Sequence, residues 1–177
     1  MLESIIHSVP SGLPLGFTTS QWFANYILTE LDHLIKEKFG IKKYIRFMDD
    51  MVLFDSKKRK LHQVKNKIEE YLTNHLHLKL KSNWQIFSLD KGRFLDFLGF
   101  KFYRTHTGLR SSIALRIKRK AKRIHKKGNA NVKDARTMVT YGGFIRYADC
   151  RNWFLRYVKQ FINFKQLRLK ISNYDKK

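Results

Sequence analysis

Two short β-prone runs, Tyr44-Ile45-Arg46-Phe47 and Met51-Val52-Leu53-Phe54, are separated only by Met48-Asp49-Asp50. So short a polar step between apolar runs predicts a hairpin. Its turn carries two adjacent acids. The apolar flanks, Phe47 and Met48 before and Met51 after, place the pair at the edge of a core. Like charges buried side by side need compensation, because desolvating each is costly. A hard divalent cation supplies it: carboxylate oxygens hold Mg²⁺ through one or two contacts while phosphates and water complete its shell. A solvated Asp-Asp turn is the bland alternative, and the apolar flanks argue against it.

The rest of the chain arranges itself around this hairpin. Both prolines lie in Pro10-Ser11-Gly12-Leu13-Pro14-Leu15-Gly16, a rigid entry loop before any helix. From Ser20, a candidate N-cap, Trp22, Phe23, Tyr26, Ile27, Leu31, Leu34 and Ile35 recur at helical spacing until Gly40 supplies the stop. Leu61, Val64, Ile68, Tyr71 and Leu72 mark a second amphipathic helix. Residues 76–80 and 84–89 read as strands, and 97–109 as a further hairpin. Near Ser111 strands give way to helices. The stripe Ile113, Ile117, Ala121 and Ile124 runs through a strongly basic helix. Two more helices are expected at 132–147 and 150–171. The fold class is α+β, with a boundary between 1–110 and 111–177.

Charge decides the partner. The 177 residues carry 37 Lys+Arg against 14 Asp+Glu, a net +23, which attracts polyanions. Nucleic acid comes first and an anionic membrane second. No apolar run approaches the roughly 18 residues a span requires, and the first residues lack a secretory signal, so a cytoplasmic protein is expected. The single cysteine, Cys150, has no disulfide partner in the chain and no cysteine neighbour for zinc; it reads as a buried or half-buried thiol. Arg116, Lys118, Arg119, Lys120, Lys122, Arg123, Lys126 and Lys127 crowd one helix, and no acid interrupts 97–133. Phosphate contact explains such a run better than solubility does. Trp153, Phe154, Tyr157, Phe161 and Phe164 recur at helical spacing and read as core rather than as base-stacking residues.

Phe47-Met48-Asp49-Asp50 resembles the aromatic-x-Asp-Asp motif of the reverse transcriptase palm. Gly12-Leu13-Pro14-Leu15-Gly16-Phe17-Thr18-Thr19-Ser20-Gln21 is similar to the motif preceding it in that family. Phe97-Leu98-Gly99-Phe100 resembles the primer-grip hairpin, and the basic helical tail is similar to a thumb. The resemblance implies a partial palm followed by a helical thumb. It makes Asp49 and Asp50 ligands of catalytic Mg²⁺, with Lys79 or Lys81 near the position of the lysine that protonates pyrophosphate. It assigns Pro14, Leu15, Gly16, Ser20, Gln21, Phe47 and Met48 to template and nucleotide, and Leu98, Gly99, Phe100 and Lys101 to the primer terminus. The eight basic residues would follow the backbone of an RNA template paired with a DNA primer, with dNTP as the other substrate.

Two departures from that family qualify the reading. Leu15-Gly16 and Ser20-Gln21 stand where most relatives have Gln-Gly and Ser-Pro, a form resembling the enzymes of diversity-generating retroelements. The family's first catalytic Asp lies upstream of the Pro-Gly turn, where this sequence offers only Glu3. The expectation is an RNA-directed DNA polymerase truncated at its N-terminus. Such a chain is expected to be inactive alone, since the upstream Asp strand is missing, and a separately encoded N-terminal half is a candidate partner. A non-catalytic module that grips RNA or an RNA–DNA hybrid is the alternative.

Overall fold

The computed structural model describes residues 18–176. It is a mixture of helices and small antiparallel sheets, compatible with α+β. The chain divides into two compact units, 1–87 and 88–177. Residue 111, where strands give way to helices, lies within the second.

In the first unit, α1 (Thr18–Ile27) and α2 (Thr29–His33) form a bent helix that continues through a π-helical turn, Leu34–Lys38. Ser20 therefore sits within the first helical turn rather than capping it. The bend at Leu28 accompanies a bond from Thr29 Oγ1 to the Asn25 carbonyl, 3.2 Å, a back-bond that commonly bends helices. Gly40 ends the element as expected. Its φ of 63° lets the Ile41 N–H reach the Ile35 carbonyl at 3.1 Å.

Strands β1 (Lys43–Phe47) and β2 (Asp50–Phe54) pair antiparallel with Phe47 opposite Asp50, leaving Met48-Asp49 as a two-residue turn. The long α3 (Lys58–Leu76) buries Val64, Ile68 and Leu72, each four residues from the next. These three join Leu28, Leu31, Ile35 and Ile41 in one core, onto which Tyr44, Met51 and Leu53 of the hairpin pack. A hairpin backed by two helical elements results.

The strands expected at 76–80 and 84–89 do not form. His77 turns left-handed (φ 54°) and the Leu78 N–H closes on the Leu72 carbonyl at 2.9 Å. Leu76 and Leu80 still pack on the core while Leu78 is exposed. The alternation is used for packing without a ladder.

The second unit opens with a meander, β3 (Leu95–Phe97), β4 (Phe100–Phe102) and β5 (Thr107–Leu109). Leu98-Gly99 is the first turn, with both residues at positive φ (50° and 88°), as a type I′ hairpin requires. The single hairpin expected over 97–109 is thus a three-stranded sheet. Next come α4 (Ser111–Lys126), α5 (Val132–Arg146), α6 (Arg151–Phe154) with its π-helical extension Leu155–Lys159, and α7 (Phe164–Asp175).

Ile117, Ala121 and Ile124 are buried with Ala135, Met138, Val158 and Leu167. The five tail aromatics pack against that core. The helix expected across 150–171 is interrupted, because Asn163 caps a new one by accepting from the Lys165 and Gln166 N–H groups. Half-buried Cys150 donates its thiol to the Ile145 carbonyl at 3.6 Å. Burial and the charge of Asp149 raise its pKa.

Candidate active site

The acidic turn is built from its strand outward. Side chains alternate along β1, so Tyr44 and Arg46 face the helices while Ile45 and Phe47 face out, 53% and 52% exposed. An inward arginine needs a carboxylate, and Asp32 of α2 provides it. Arg46 Nε donates to Asp32 Oδ1 at 2.8 Å and Nη2 donates to Oδ2 at 2.6 Å, with Tyr44 Oη donating to Oδ1 at 2.7 Å. Burial pushes the Asp32 carboxyl up, but the bonds from Arg46 and Tyr44 and the guanidinium charge outweigh it and hold the group below its ordinary value. Burial and the same carboxylate push the Tyr44 phenol well above its own.

The remaining donors of Arg46 reach the turn and α1. Nη1 bonds the Met48 carbonyl and Asn25 Oδ1, both at 3.0 Å, and Nη2 bonds the Asn25 carbonyl at 3.3 Å. Asn25 Nδ2 in turn contacts Met48 Sδ at 3.6 Å. Met48 needs this support: its φ of 55° lies in the left-handed region, which costs a residue with a Cβ about 1 kcal/mol or more.

Asp49 and Asp50 both project into solvent. This corrects the expectation of a buried pair at a core edge. The outward face of the hairpin is open at Ile45 and Phe47, so the apolar flanks do not enclose the acids. Of the two lysines left open by the sequence, Lys81 is the one brought to the turn, its Nζ donating to Asp49 Oδ2 at 2.6 Å; Lys79 is exposed. Both partners are 68% exposed, so the pair adds little to stability. The Lys81 hydrogen bond nonetheless holds the Asp49 carboxyl below its usual value, and Asp49 raises that of the lysine.

Two adjacent hard oxygen donors in contact with solvent suit Mg²⁺, which binds through one or two carboxylates and keeps much of its water. Among the described residues no group of three or more potential metal ligands gathers anywhere.

Pro14, Leu15, Gly16 and Glu3 lie outside the described residues. Ser20 and Gln21 are on α1, the first half-buried and the second exposed. Asn25, Asp32, Tyr44 and Arg46 were missed by sequence reasoning. The available signal was an arginine at an inward position of an otherwise apolar strand.

The other expected contacts lie in the second unit. Leu98 is exposed, whereas Gly99 is buried so closely that an added Cβ would stand 2.6 Å from Ile113 Cδ1 and 2.9 Å from Phe144 Cε1. Phe100 packs on Phe144, ring centres 5.5 Å apart. Lys101 bonds Ser111 Oγ at 2.8 Å and lies over the Phe94 ring. On α4 and just beyond, Arg116, Arg119, Lys122, Arg123, Lys126 and Lys127 are exposed on the side away from the core. Lys120 instead turns inward to bond the buried Asp134, and Lys118 lies 4.0 Å from the centre of the Tyr157 ring.

The family model described as reverse transcriptase (RNA-dependent DNA polymerase) matches residues 5–102. That span takes in the Asp49-Asp50 turn and Lys81 and stops short of α4. No curated protein matches the chain.

Proposed function

Since the chain belongs to the reverse transcriptase family, whose model covers more than half of it, we propose that it serves RNA-directed DNA synthesis, the transfer of a nucleotide from dNTP to a primer 3′-hydroxyl. The observation that carries this reading is the pair of solvent-facing carboxylates at a braced turn with a lysine ammonium in contact. Asp49 and Asp50 hold Mg²⁺, Asp49 more directly. A divalent ion held by these two carboxylates would supply a lower pKa for the attacking hydroxyl and neutralise phosphate charge. Lys81 keeps a proton on Nζ beside the site, placed for the departing pyrophosphate. The regions 1–110 and 111–177 act as a partial palm with its primer hairpin and as a thumb. Leu98 and Lys101 meet the primer terminus from a turn fixed by the packing of Gly99 and Phe100, and the exposed cations of α4 hold backbone phosphates. The composition of the Leu15-Gly16 and Ser20-Gln21 motif supports a bacterial lineage related to diversity-generating retroelements.

A second reading has its own support. With no third acid beside Asp49 and Asp50 among the described residues, the chain acts as a hybrid-binding module unless another segment or a separately encoded chain completes the site. Nucleotide binding to the purified chain on an RNA template–DNA primer duplex separates the two. The polymerase reading expects dNTP retention that requires Mg²⁺ and is lost in Asp49→Ala. Equal retention by both proteins, with the duplex still bound, leaves only the binding module. Primer extension by the chain alone, abolished in Asp49→Ala, shows that no further chain is needed.

A further inference from the structure

Arg46 spends all its donors on a single task. A guanidinium has five N–H groups in a rigid fork. Here they are divided among the Asp32 carboxylate, both oxygens of Asn25 and the carbonyl of Met48. The Met48 carbonyl belongs to the peptide plane that leads directly into Asp49, and Met48 is the turn residue in the left-handed region. Fixing that carbonyl fixes the direction in which Asp49 leaves the turn. Asn25 holds the same residue a second time through its sulfur.

The charge balance fits this task. An uncompensated arginine so close to two carboxylates would repel a divalent cation. Asp32 neutralises it through two parallel bonds on the side away from the turn, and the Tyr44 hydroxyl keeps that carboxylate in place. A near-neutral clamp therefore grips the turn without adding a positive field at the acids.

We propose that Arg46, set by Asp32 and Asn25, is a positioning residue that presents the carboxylates of Asp49 and Asp50 to a divalent cation. This rests on the reading of those two acids as metal ligands.

The test uses the whole chain with Mn²⁺ alone as the probe, free ion being counted by electron paramagnetic resonance, and with thermal melting followed in parallel without metal. Arg46→Lys keeps the charge but loses the fork. It is expected to weaken Mn²⁺ binding roughly tenfold, the low end for a residue that orients a metal ligand, while Asp49→Asn abolishes binding. Asp32→Asn should weaken it as well, by releasing the fork and exposing its charge. Asn25→Ala, which removes only the second hold on the turn, decides the matter if Arg46→Lys fails to fold. Parental affinity in Arg46→Lys and Asn25→Ala, with binding lost in Asp49→Asn, overturns the clamp and leaves the metal reading standing. Mn²⁺ binding indifferent to Asp49→Asn overturns both.

Discussion

Asp134 is the one charged or polar residue buried among the described residues. Lys120 bonds it from α4, Arg123 stands 3.9 Å away, and the Asn131 side chain caps α5 by accepting from the Asp134 N–H. The Lys120 hydrogen bond holds the carboxyl below its ordinary value of 3.8 against the opposing effect of burial. A depressed folded-state pKa stabilises the protein fully above the unfolded value, and this stabilisation is lost as pH falls through the folded one. Thermal melts between pH 2 and 6, a range of about two units either side of that value, should therefore show a loss of stability on the acid side that is reduced in Asp134→Asn. Lys120→Met should cost roughly 2–4 kcal/mol at neutral pH, since it leaves a buried carboxylate without its hydrogen-bonded cation, compensated only by the charges of Lys127 and Arg123. A urea titration of the two proteins measures it. Lys120 falls beside the stripe of Ile117, Ala121 and Ile124 on the helix circumference, yet the sequence reading grouped it with the phosphate contacts. The acid that receives it comes from another element, and no local pattern announces such a pairing.

Among the elements, the Leu98-Gly99 turn leaves the least room. An alanine at Gly99 would be strained in φ and would press its Cβ into Ile113 and Phe144. Gly99→Ala should destabilise the chain by roughly 2–4 kcal/mol, combining left-handed strain with overpacking; denaturant midpoints at unchanged slope would show it. Although its turn is two residues rather than three and its acids face solvent, the acidic hairpin was legible, because strand pairing across a short polar step is local. Its Arg46 bracing was not, since Asp32 and Asn25 lie 14 and 21 residues away. Residues 76–80 show the opposite failure. Their alternation is genuine, yet one extended segment packing leucines on a core has the same pattern as a strand. The break before α7 was missed because Asn163 carries no glycine or proline signal, and only its capping bonds reveal it.

At the scale of the whole molecule the excess of positive charge dominates, and no helix among the described residues is long and apolar enough to cross a membrane. The eight cations of the basic run do not act alike. Lys120 is committed to Asp134 and Lys118 to Tyr157, so six remain turned to solvent. Replacing Arg119, Lys122 and Lys126 by Gln should weaken binding to an RNA–DNA duplex and flatten the dependence of log K on log salt by about one unit per phosphate contact removed. Fluorescence anisotropy across a salt series measures the slope, and an unchanged slope would make that surface merely solvated. The half-buried thiol of Cys150 has a different use. It is the chain's single cysteine, tethered to the Ile145 carbonyl, and burial and Asp149 push its pKa up, which disfavours the thiolate that alkylating reagents attack. The protein nonetheless carries a native attachment point: a maleimide probe on Cys150 marks the segment between α5 and α6, with no engineered residue.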